Sequence, residues 1–144
     1  MKAGNPKKYV GLEMADSTKW LLENHKNEFK SYCNGVGSTS TWFDRLLWHI
    51  TPNTIYGMNI TPASDIHDSE YSYPTVFRTK GEALRFKFET DLRFYHNMIL
   101  LIARKYKWYN KFFAIPRLNR AKLYYEAVSH FGMDAFIKDK KILK

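Results

Sequence analysis

His67 and Asp68 stand side by side in the segment Ser64-Asp65-Ile66-His67-Asp68-Ser69-Glu70-Tyr71, and Asp91 follows the dyad by 23 residues. Histidine is the side chain whose ordinary pKa lies near neutrality, so it suits general-base work. A histidine base needs an acceptor that holds its tautomer and stabilises the imidazolium. On a helix, His67 and Tyr71 are four residues apart and share a face. Asp68 lies about 100° round the axis. One short helix can thus aim a base to one side and a carboxylate for a hard cation to the adjacent side. By itself a His-Asp pair is a weak signal, equally at home on a surface.

The elements that position these residues are legible as capping and periodicity signals. Thr61-Pro62 predicts a helix start, with Thr61 as cap and Pro62 in the first helical position. That helix should end near Ser72, because the residue before Pro74 disfavours helix. Thr79-Lys80-Gly81-Glu82 fits a capping box and opens the longest helix, to about Lys107. Its inward stripe reads Leu84, Phe88, Asp91, Tyr95, Met98 and Ile102. Asp91 is the anomaly there, since a carboxylate among apolar neighbours requires a partner, and His67 is the natural one. Upstream, Asp16 is placed to cap one helix reaching Tyr32, and Trp20, Phe29, Tyr95 and Met98 read as core. Thr41–Ile50 reads as a short helix, Pro116 as the start of the last long helix and Gly132 as its C-cap. With no convincing strand pair, the expected fold is a small, mainly α-helical domain spanning 1–144. Two antiparallel helices would carry the His-Asp site, beside a glycine-rich loop.

That loop is Tyr32-Cys33-Asn34-Gly35-Val36-Gly37, where glycines allow backbone carbonyls to turn toward a cation. Loop, His-Asp-x-x-Tyr helix and a later helix bearing Asp91 together resemble the phospholipase A2 superfamily, closest to its compact viral and bacterial members. The resemblance covers about residues 32–100. It implies a calcium-dependent esterase of glycerophospholipids, phage- or virus-encoded. His67 would be the base that activates a water, Asp91 its orienter and Tyr71 a further hydrogen-bond partner. Asp68 and the carbonyls of Cys33, Gly35 and Gly37 would bind Ca2+, with the Gly35 N–H facing the developing oxyanion. Departures are the single cysteine, where secreted members are disulfide-rich, Ser38 in place of a further glycine, and an inserted stretch from Trp42 to Thr61.

Two alternatives stay open. His49, His67-Asp68 and Asp91 also fit the loose order of metal-dependent HD-type nucleotide phosphohydrolases, with His49 as a metal ligand and magnesium or a transition metal in place of calcium. A non-catalytic module holding an anionic partner is the other.

Composition bounds these options. The chain has 144 residues, 44% hydrophobic and 17% aromatic, rich enough for a packed core and too apolar for disorder. The lone Cys33 forbids an internal disulfide and tilts toward a reducing compartment. Met1–Lys8 is polar and basic with no apolar run, so no secretory signal or spanning segment is expected, and the location would be cytoplasmic or virion-associated. Net charge is +9, with 12 Lys/Arg against 11 Asp/Glu in residues 1–100 and 11 against 3 in residues 101–144. The basic third interleaves cations with rings over Arg104–Phe113. This suits an anionic phospholipid surface, with nucleic acid the less favoured partner and a solvated basic tail the plain alternative. Cys33 reads as a structural thiol, and His25, His96 and His130 as packed or surface residues.

Overall fold

The computed structural model describes residues 7–33, 54–55, 58–106 and 110–143. Gly35, Gly37, His49, the helix expected over Thr41–Ile50, and Lys107–Tyr109 lie outside the described residues. The fold is mainly α-helical. After a 3-10 turn at Lys7–Tyr9 come α1 (Asp16–Asn24), α2 (Lys26–Cys33), α3 (Thr61–Ser72), α4 (Lys80–Lys105), α5 (Lys111–Phe131) and α6 (Met133–Ile137). The four described strands are two residues each: β1 (Thr54–Ile55) pairs antiparallel with β2 (Met58–Asn59), and β3 (Val76–Phe77) pairs parallel with β4 (Lys141–Ile142).

Helices α3 and α4 run antiparallel. The end of α3 meets the start of α4, with Tyr71 bonded to Asp91, while Ile60 and Ala63 share a buried cluster with Met98 and Ile102. Phe94, Ala121, Tyr124 and Val128 extend that cluster onto α5. A second cluster ties Tyr9, Leu21, Leu22 and Phe29 to Ile66 of α3, and a third joins Tyr71, Phe77, Ala83 and Phe136. Central α3 therefore touches all three cores.

Local signals were read correctly in part. Thr79 caps α4, accepting from the Glu82 N–H at 3.1 Å, while the Glu82 carboxylate accepts from the Arg78 N–H. The α3 cap differs. Thr61 is itself helical, and the Asn59 side chain accepts its N–H at 2.8 Å, because Asn59 sits where a side-chain oxygen can reach back over the first turn. The expected helix from Asp16 to Tyr32 is two helices, broken at His25, whose φ of −138° leaves the helical region. The break lets Leu21 and Leu22 of α1 and Phe29 of α2 enter one core. Ala15, not Asp16, occupies the cap position. Its N–H is satisfied from a distance by the buried Glu70 carboxylate at 2.7 Å, which also takes the Thr18 hydroxyl and pairs with Arg93. Trp20 is surface, not core, 54% exposed.

Pro116 lies inside α5 and does not open it. It withholds a donor from the Phe112 carbonyl, a cost tolerated one turn from the helix start because Phe112 faces water. Gly132 joins α5 to α6, as its C-cap role predicts, with an ordinary negative φ of −85°. Its requirement is spatial: a Cβ there would lie 2.4 Å from the Val128 carbonyl oxygen and 2.5 Å from the Tyr71 hydroxyl. Gly132→Ala is accordingly expected to cost about 1–3 kcal/mol by overpacking. An unchanged urea midpoint would mean that the α5–α6 corner yields freely. Among the described residues no helix is long and apolar enough to cross a membrane.

Candidate active site

Helix α3 is buried along most of its inner face because it is packed by α1, α2 and α4, and His67 (4% exposed) lies on that face. Its Nε2 is 2.9 Å from Asp91 Oδ1. The Tyr71 hydroxyl donates to the same Oδ1 at 2.7 Å. The structure thus brings His67 and Asp91 together, the pairing expected from the buried carboxylate, and adds Tyr71, the partner the resemblance implied. The imidazole is held between the Tyr71 and Phe94 rings, with centroids at 4.3 and 4.5 Å. Its other nitrogen, Nδ1, faces Asp68, whose Oδ1 lies 3.9 Å away. The Asp68 side chain is 48% exposed, so solvent reaches the site at this edge.

The inward stripe of α4 differs from expectation in its first half. Lys87 is buried and Phe88 is exposed, so the inner face reads Ala83, Lys87, Thr90, Asp91, Phe94, Asn97, Met98 and Ile102. Hydrophobicity would choose Phe88, but a buried Asp91 needs a counter-charge one turn away. Lys87 Nζ donates to Asp91 Oδ2 at 2.6 Å and to the Val128 and Ser129 carbonyls of α5 at 3.1 and 3.4 Å. Asp91 therefore has both oxygens engaged, Oδ1 by the base and Tyr71, Oδ2 by the ammonium. The signal for Lys87 was its i,i+4 spacing to Asp91, hidden because lysine is ordinarily surface.

Electrostatics follow from this wiring. Burial pulls the Asp91 carboxyl upward, but His67 and Lys87 outweigh it and hold the group below the usual range. Burial alone would lower the His67 pKa. Hydrogen bonding and charge from Asp68 and Asp91 outweigh that and raise it to about 9. Burial, then Asp91, push the Tyr71 phenol up, so it remains a donor. A folded-state pKa above the ordinary 6.5 contributes stability that is complete below pH 6.5 and lost as pH rises through about 9. In the presence of a calcium chelator, wild type should lose stability over that window relative to His67→Gln. Parallel pH–stability curves for the two proteins would refute the assignment.

Cys33, the last residue before the glycine loop, sits beside the same turn of α3. Its Sγ donates to the Asp65 carbonyl at 3.3 Å. Burial, then the charges of Asp65 and Asp68, push the thiol up, which makes it a poor nucleophile. Among the described residues no group of three or more His, Cys, Asp or Glu side chains gathers to hold a metal. A site of one carboxylate with backbone carbonyls is not such a group. His96 and His130 are exposed, and His96 pairs with Glu13.

No protein-family model, curated protein or solved structure matches the chain.

Proposed function

We propose that this chain is a calcium-dependent phospholipase A2-like hydrolase that cleaves the middle acyl ester of glycerophospholipids. The observation that carries the reading is the division of labour around the imidazole. Nε2 is committed to Asp91, and Nδ1 is turned to the solvent edge beside the half-exposed Asp68. That is the arrangement a water-activating histidine requires. In its neutral form, which gains weight as pH rises toward about 9, His67 Nδ1 takes the proton of a water whose oxygen attacks the ester carbonyl. The tetrahedral oxyanion collapses, the C–O bond to glycerol breaks, and the leaving alkoxide takes the proton back from His67. Asp91 orients the ring throughout, and Tyr71 and Lys87 hold Asp91 in place.

Asp68 and the Cys33 carbonyl are hard oxygen donors on neighbouring elements, a set that suits calcium, and the resemblance assigns the remaining carbonyls to Gly35 and Gly37, outside the described residues. Calcium held there would polarise the ester carbonyl and offset the oxyanion's charge. Asp68→Asn should weaken calcium binding by about tenfold or more with little change in melting temperature, because the residue is outside the cores. Equal calcium affinity of the two proteins by calorimetry would count against the assignment.

The start of α5 supports a lipid surface as the partner. Phe112 is 87% exposed, Phe113 and Ile115 are over half exposed, and Lys111, Arg104 and Lys105 lie exposed alongside. Exposed apolar side chains among cations fit an anionic headgroup layer. The nucleotide phosphohydrolase reading asks Asp91 to ligate a metal. Both its oxygens are already bonded, one of them to an ammonium, in a fully buried position.

A further inference from the structure

A cavity of about 100 Å³ lies between the N-terminal turn, α1 and α2, lined by Lys8, Tyr9, Leu22, Lys26, Phe29 and Lys30. It shares no lining residue with the His67–Asp91 site. Its floor is apolar and closed, with Tyr9, Leu22 and Phe29 each no more than 2% exposed. Its rim is three lysines and no carboxylate. Lys26 and Lys30 are one turn apart on α2, where like charges repel. Among the described residues neither makes an ion pair, and Lys8 alone has a partner, Asp65 at 3.4 Å. Three lysines lining a cavity with a low-dielectric floor put positive potential over the space they enclose. The cavity volume is several times the roughly 10–15 Å³ one water needs on the same measure, so a small oxyanion can enter.

We propose that this cavity is an anion site for a single phosphate group, held by the ammonium groups of Lys8, Lys26 and Lys30. Lysine ammoniums act as mobile point charges with three donors each, so they can close on a phosphate from three sides without a fixed fork. The site is wired to the candidate active site. The Tyr9 hydroxyl and Lys8 both bond Asp65 Oδ2, at 2.7 and 3.4 Å, and Asp65 is on the same turn of α3 as His67 and Asp68. The phosphate could come from solution or from the headgroup of a phosphomonoester lipid. The site stands on the cavity itself and does not depend on the lipase reading.

The test uses the full chain without calcium, so it is independent of any hydrolysis. Inorganic phosphate and glycerol 3-phosphate are titrated calorimetrically. Flotation then compares phosphatidylcholine vesicles with and without phosphatidic acid. The expected result is saturable phosphate binding that Lys26→Gln/Lys30→Gln weakens at least tenfold, while Lys80→Gln at the start of α4, outside the cavity lining, leaves it unchanged. The double variant should melt no lower than wild type in the absence of phosphate, since it removes a repulsion. A headgroup site is indicated if phosphatidic acid vesicles bind more tightly than free phosphate in a Lys26/Lys30-dependent way, and a free-anion site if they do not. No saturable binding to wild type, or equal loss in the Lys80 variant, overturns the proposal.

Discussion

Asp91→Asn is expected to be among the most destabilising single changes in the chain, costing about 3–5 kcal/mol, as when one partner of a buried ion pair is removed. Lys87 is 1% exposed, and its ammonium is surrounded by Asp91 Oδ2 and two α5 carbonyls. Without the carboxylate charge it is left desolvated and uncompensated, and the His67 ring loses its charged acceptor as well. Lys87→Met should cost less, because Asp91 keeps hydrogen bonds from His67 and Tyr71. The double change Lys87→Met/Asp91→Asn should recover much of the loss of the single Asp91 variant, since a neutral pair no longer has charge to desolvate. Urea unfolding of the four proteins forms the cycle. A loss below about 1 kcal/mol for Asp91→Asn would mean that water reaches Lys87 and that the pair is not buried in the sense required.

Fatty-acid release from anionic phospholipid vesicles should fall by about 10²–10⁴ in His67→Gln, the range for removing a general base. Glutamine can still donate to Asp91 Oδ1, so the fold should survive and the loss should appear in turnover more than in calcium affinity. His49→Gln should leave release intact. Under the phosphohydrolase alternative the pattern inverts, with the His49 variant losing metal and nucleotide hydrolysis. A His67→Gln protein that keeps more than a tenth of wild-type, calcium-dependent release would remove His67 from the chemistry. The rescued double variant at Lys87 and Asp91 adds a separate check. It should be stable yet slow, because a neutral amide cannot stabilise the imidazolium.

Much of this arrangement was written locally. The Thr79–Glu82 cap, the stop before Pro74 and the odd carboxylate at Asp91 depend on residues within a turn or two of each other. So they could be read from spacing, and a buried carboxylate in need of a partner pointed to His67 across the two antiparallel helices. The features that escaped depend on distant partners. Helix α1 is capped not by its neighbour Asp16 but by Glu70, 55 residues on, because a buried carboxylate can serve a helix end that burial has cut off from water. The break at His25 answers to a core shared by both halves of the segment, and local propensity carries no trace of it.

Lys87 marks the division most clearly. The sequence by itself determined a helical chain with a histidine, a tyrosine and an aspartate at spacings that let them meet. Only the tertiary structure decided that the aspartate would be fully buried, that a lysine would displace Phe88 from the inner face to neutralise it, and that the α5 carbonyls and Gly132 would close over the pair. The physical reason is desolvation. Its cost is set by everything that surrounds a charge, and that surrounding exists only once elements remote in sequence have packed.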